Sequence, residues 1–131
     1  MRNDLNTKGN PGSESLKPFQ MKPEVICLVG STSQQEELVK ANEDLTLRGH
    51  VVLSLGVFRP EIQSGWLKEM LRQIHRRKIE MSDVVAVVPK KDGSVGEHVR
   101  EEINFAFSKE KHVCKVHSAL KGIFDDWPRE S

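Results

Sequence analysis

At 131 residues, with 37% hydrophobic and 30% charged, the chain has the length of one layered domain and the composition of an ordinary water-soluble protein. A formal net charge of +1 argues against a dedicated nucleic-acid binder, and no apolar run approaches the length of a membrane span. Cys27 and Cys114 have neither zinc spacing nor a disulfide framework, and the N-terminus has no apolar signal core, so a cytoplasmic location is expected.

Residues 1–22 carry Gly9, Pro11, Gly12 and Pro18 among polar residues and read as a flexible leader to a domain over 23–117. That domain opens on Val25-Ile26-Cys27-Leu28-Val29, an unbroken apolar run of the kind that forms a strand covered on both faces. Gly30 ends the strand. Ser31, Thr32 and Ser33 supply hydroxyls, and Ser33 with Glu36 has the spacing of a capping box. Over 34–48, Leu38, Ala41 and Leu45 share one helical face, with Gly49 as the stop. A second strand is expected over 50–55, then a loop over 56–65 that carries Phe58, Arg59 and Pro60 at the sheet edge of Ser31.

A helix over 65–81 places Leu67, Met70, Leu71, Ile74, Lys78 and Met81 at spacings of three and four, with His75 and Lys78 at the boundary of that inner stripe. A third buried strand follows over 84–88. Residues 90–96 form a polar, glycine-bearing loop, 97–110 a helix and 112–116 a short fourth strand. The tail over 118–131 holds Ile123, Phe124 and Trp127, which would dock on the domain or on a partner subunit. Basic residues cluster at Arg72, Arg76, Arg77 and Lys78 and again at Lys90 and Lys91, as a solvated face or a phosphate-facing patch.

The order βαβαβαβ predicts a three-layer α/β/α sandwich around a parallel, flavodoxin- or Rossmann-like sheet of four to five strands. Right-handed crossovers would then bring the Ser31 loop and the Asp92–Gly96 loop together at the switch point, where free helix amides suit an anion or polar ligand.

With both loops identified, the chain resembles the nucleoside 2-deoxyribosyltransferase-like family, which includes deoxynucleoside monophosphate N-glycosidases. The resemblance spans residues 25–116. It rests on ICLVGS, similar to the family's strand ending in a small residue, glycine and serine or proline; on MSDVVAVV, similar to its alanine-aspartate and apolar strand; and on DGSVGEHVREEINFAFSKEKHV, similar to its Gly-Ser/Thr loop and glutamate-bearing helix.

The resemblance implies cleavage or transfer at the N-glycosidic bond of a 2′-deoxynucleoside or its 5′-monophosphate, with a glutamate attacking the anomeric carbon or supporting that attack. Counting back from the fourth strand selects Glu102, and counting forward from the loop selects Glu97, three residues after Ser94. The bland alternatives are a capping box of Ser94 with Glu97, and a surface role for Glu102 in a charged helix. His75 stands where many members have an aspartate that orients the nucleophile or the sugar, and Cys27 where they have a tyrosine. Gly30, Ser31, Asp92, Gly93 and Ser94 would bind substrate, the serines with a hydroxyl or phosphate and Asp92 with the sugar. No metal or redox cofactor, nucleic acid or membrane is implied, and a homodimer or higher homo-oligomer is expected. A non-catalytic nucleotide-binding or signalling module on the same fold is the rival reading.

Overall fold

The computed structural model of the chain describes residues 22–59, 61–62, 64–116 and 124–129. The leader, apart from Lys22, and Ile123 of the tail lie outside the described residues. Strand β1 (Val25–Val29) is buried from Ile26 onward and has a parallel neighbour on each side, the position its unbroken apolar run calls for. A single 3₁₀ turn over Thr32–Gln34 leads into α1 (Gln35–Leu47), followed by β2 (Val51–Leu53), α2 (Gly65–Met81), β3 (Val84–Val87), α3 (Glu97–Ser108), β4 (His112–Val116) and β5 (Phe124–Asp126).

The strands lie in the order β2-β1-β3-β4-β5. The first four are parallel and β5 is antiparallel to β4, so the sheet is mostly, not wholly, parallel. This is the flavodoxin-like order, in which the chain leaves β1 toward β2 and returns past it to β3, opening a crevice at their carboxyl ends. Alternation along the strands sorts the core into two faces. Ile26, Leu28, Ala86 and Cys114 meet Leu38, Ala41 and Leu45 of α1, while Cys27, Val29, Val85, Val87 and Val113 meet Ile79 of α2 and Val99, Ile103 and Ala106 of α3. One helix covers one face and two cover the other.

One sequence expectation needs correction. The inner stripe of α2 is not the one read from spacing: His75, Ile79 and the following Ser82 are buried, whereas Met70, Ile74 and Met81 are exposed. The helix is rotated so that the His75 line faces the sheet, and the apolar spacing on its outer side carries no information about that choice. Of the two places expected for the tail, the structure has Trp127 docked on the domain. It packs on the core beneath α2 and α3, and its backbone N–H donates to the Val113 carbonyl at 2.9 Å, prolonging the β4–β5 ladder.

Candidate active site

The exit of β1 is tight. A Cβ on Gly30 would lie 3.1 Å from Leu38 Cδ2 and 3.2 Å from the Val88 carbonyl oxygen, so glycine is what lets strand, helix and the neighbouring exit of β3 approach. Ser31 then caps the 3₁₀ turn, its Oγ accepting from the Ser33 N–H at 3.1 Å and lying 2.9 Å from Ser33 Oγ. The expected Ser33–Glu36 capping box is therefore not formed, because the cap falls two residues earlier. Gln34 precedes α1 without a side-chain cap bond, and its amide instead donates to the Pro89 carbonyl at 3.2 Å. That contact ties the loop after β1 to the loop after β3.

The second loop closes on itself. Gly93 N–H donates to the Lys90 carbonyl and Lys90 N–H to the Ser94 carbonyl, while Asp92 Oδ1 accepts from both the Ser94 hydroxyl at 2.7 Å and the Ser94 N–H at 3.0 Å. Those two Ser94 bonds hold the exposed Asp92 carboxyl below the usual carboxylate range. The Ser94–Glu97 capping box is not formed either: Gly96 is the N-cap of α3, no side chain caps it, and Glu97 is the exposed first helical residue.

Between the two loops lies a hollow of about 280 Å³, walled by Gly30, Ser31 and Thr32 on one side and by Gly96, Glu97, His98 and Val99 on the other, with Glu102 among its lining. Arg59, Lys68 and Lys90 bring three cations to it. An adjoining hollow of about 150 Å³ shares Thr32, Arg59, Ile62, Lys68 and Glu102 and adds Arg72 and His75. Glu102 is thus common to both.

Its surroundings set its chemistry. The Glu102 side chain is 22% exposed, and burial pushes its carboxyl up to about 7 against the pull of Arg72 and Arg76. His75 Nε2 lies 3.8 Å from Glu102 Oε1 and 4.0 Å from Cys27 Sγ. Burial, reinforced by the Lys78 charge and opposed by a bond to the Leu28 backbone, lowers His75 to about 4. At neutral pH the imidazole is therefore uncharged, and the contact with Glu102 is not a fixed ion pair. The Cys27 thiol is pushed up to about 12, chiefly by burial, which leaves it unreactive at that pH.

Of the residues singled out from sequence, Gly30, Ser31, Glu97 and Glu102 border one hollow, His75 joins Glu102 in the adjoining one, and Asp92, Gly93 and Ser94 form the exposed turn beside them without lining either. Sequence reasoning missed Thr32, Lys68 and His98. A usable signal existed for the last two: both stand in the first turns of helices that start at the carboxyl edge, where a side chain faces the crevice. Among the described residues no group of three or more His, Cys, Asp or Glu side chains is placed to hold a metal ion, and no helix is long and apolar enough to cross a membrane.

The fold has structural parallels. A 2-deoxyribosyltransferase from the psychrotolerant bacterium Bacillus psychrosaccharolyticus superposes with a TM-score of 0.56 and 18% identity, over 70% of each chain. A CMP N-glycosidase of Clostridium botulinum gives 0.47 and 16% identity over 70% of this chain and 67% of that one, and a 2-deoxyribosyltransferase of Leishmania mexicana 0.49 and 16% over 72% and 66%. No protein-family model and no curated protein sequence matches the chain. The fold is the deoxyribosyltransferase fold, as the resemblance in the sequence implied.

Proposed function

We propose that the protein cleaves or transfers at the N-glycosidic bond of a 2′-deoxynucleoside, preferentially as its 5′-monophosphate, with Glu102 as nucleophile. The observation that carries this reading is the half-buried Glu102 carboxyl shared by two adjoining hollows, beside a neutral His75 and under a rim of Arg59, Lys68 and Lys90. The ionised carboxylate attacks the anomeric carbon, the bond to the base breaks with its electron pair going to the base nitrogen, and that nitrogen takes a proton from solvent. Water or a second base then attacks the sugar ester and frees Glu102. His75 orients the carboxyl, and the Ser31 turn with the rim cations receives the phosphate. No step uses a metal or redox cofactor.

Glu97 remains the rival nucleophile on position, since it borders the larger hollow, but its exposure gives it none of the shielding that an oxocarbenium-like centre needs. A homodimer or larger assembly is part of the proposal, supported by the exposed Trp66, Met70, Ile74 and Met81 along α2. Light scattering that finds only monomer at high micromolar concentration would remove it.

Incubation with a panel of deoxynucleosides and their monophosphates, with and without an acceptor base, followed by chromatography, tests the reading. Free or exchanged base from the monophosphates is expected. Tight nucleotide binding without either product would favour the rival reading of a non-catalytic binding module, to which the partly protonated state of Glu102 near neutrality lends some weight.

A further inference from the structure

We propose that Lys78 is a positioning residue: its ammonium clamps the connection from β2 to α2 against the site by bonding two successive carbonyls where β2 stops. Pairing of β2 with β1 ends at Leu53, opposite Cys27, so the carbonyls of Ser54 and Leu55 lie beyond the ladder. Lys78 Nζ donates to Ser54 O at 2.7 Å and approaches Leu55 O at 3.5 Å. At Gly56 the backbone turns with φ +85°, a conformation that favours glycine, and a Cβ there would sit 3.5 Å from the same Nζ. On both sides of this turn the chain lines the site, with Leu55 and Val57 in the smaller hollow and Arg59 and Ile62 in both.

The clamp springs from α2, three residues after His75 and so on the same side of the helix. One side chain thus fixes the wall that carries Arg59 relative to the helix that carries His75. It also places a positive charge near the imidazole, whose other neighbours are Cys27 from β1 and Glu102 from α3; Glu102 in turn faces Arg72 and Arg76 of α2 and Glu101 of its own helix. Loss of the ammonium has two consequences of different kinds. The connection loosens, and His75 takes a proton more easily.

Hydrogen exchange and the titration of the His75 ring, both followed by NMR on the full chain, test the clamp without substrate. In Lys78→Met, the Ile62 amide, which donates to the Arg59 carbonyl at 3.1 Å, should exchange at least about tenfold faster while those of β1 and β3 keep their protection, and His75 should titrate at higher pH. Lys78→Arg should restore both properties. Should the methionine variant not fold, Lys78→Gln, which keeps one neutral donor, should show intermediate exchange. Unchanged exchange at Ile62, or a loosening spread equally over β1 and β3, overturns the proposal. Only its consequence for binding, a raised KM for the monophosphate with kcat less affected, rests on the proposed function. If the substrate panel fails while exchange responds as described, the enzymatic reading falls and the clamp stands.

Discussion

Burial acts on Glu102 and His75 in opposite directions, and this gives the pair a pH signature. His75 stays neutral down to about 4 against an ordinary 6.5, so its contribution to stability is complete above 6.5 and is lost as pH falls through 4. Glu102 keeps its proton up to about 7 against an ordinary 4.5, so its contribution is complete below 4.5 and is lost as pH rises through 7. Between 4.5 and 6.5 the unfolded chain carries one charge of each sign and the folded chain neither. The proton counts match, and the pair makes stability flat there. Glu102→Gln leaves only the histidine arm, so melting temperature should rise with pH across that window, by an amount reflecting about 3 kcal/mol; His75→Gln should make it fall by a similar amount. Thermal scans in buffers spanning the window check both, and a flat profile in Glu102→Gln would deny the buried neutral imidazole. Catalysis should follow the carboxylate: turnover rises with pH through about 7 and is abolished in Glu102→Gln, whose melting temperature matches that of the parent near pH 4.5 and exceeds it near neutrality, because the amide has no proton to lose.

At the scale of the element, α3 begins without a side-chain cap, and this changes what Glu97 is worth. A capping box would make Glu97→Ala cost a full cap, whereas an exposed acid in the first turn contributes about 0.3–1 kcal/mol through the helix dipole. Chemical denaturation should therefore find Glu97→Ala within about 1 kcal/mol of the parent, with turnover retained. A larger loss would mean that the acid has a partner beyond the dipole. The existence and order of the elements up to β4 were legible because β1 and β3 are unbroken apolar runs and α1 has a single apolar face; β5 was not, because Phe124-Asp125-Asp126 is short and acidic and pairs in the reverse direction. The rotation of α2 was not, because Met70, Ile74 and Met81 offer the same spacing as the buried line through His75 and Ile79. Nor were the caps: Ser31 and Ser33 are both suitable residue types, and the choice depends on whether the chain leaves β1 through a 3₁₀ turn. Counting back from β4 singled out Glu102, which borders both hollows, and counting forward singled out Glu97, which borders one. Arg59 was legible as part of the loop at the sheet edge of Ser31; Lys68 was not, since a lone cation on a helix looks like any other until the sheet brings it to the crevice.

Across the whole molecule, charge is close to balanced, yet Arg59, Lys68 and Lys90 converge on the crevice from three separate segments. Such convergence concentrates positive potential where a phosphate would sit. Arg59→Ala and Lys90→Ala should each raise KM for a monophosphate about tenfold while changing that for the corresponding nucleoside much less, as loss of a charged hydrogen bond predicts. Equal effects on the two substrates, measured in parallel at one ionic strength, would put the cations outside phosphate recognition. The last strand has a consequence of another sort. A sheet that stopped at β4 would present a long edge of unpaired amides and carbonyls, a template on which a neighbouring extended chain could grow. Strand β5 occupies that edge in the reverse direction with only three residues, among them the exposed Asp125 and Asp126, the latter 3.1 Å from His112; the opposite edge, β2, is also only three residues long. Short borders, one of them acidic, give fibril-like stacking little to build on, so the C-terminal strand protects the colloidal behaviour of the protein without touching the crevice in which it would do its chemistry.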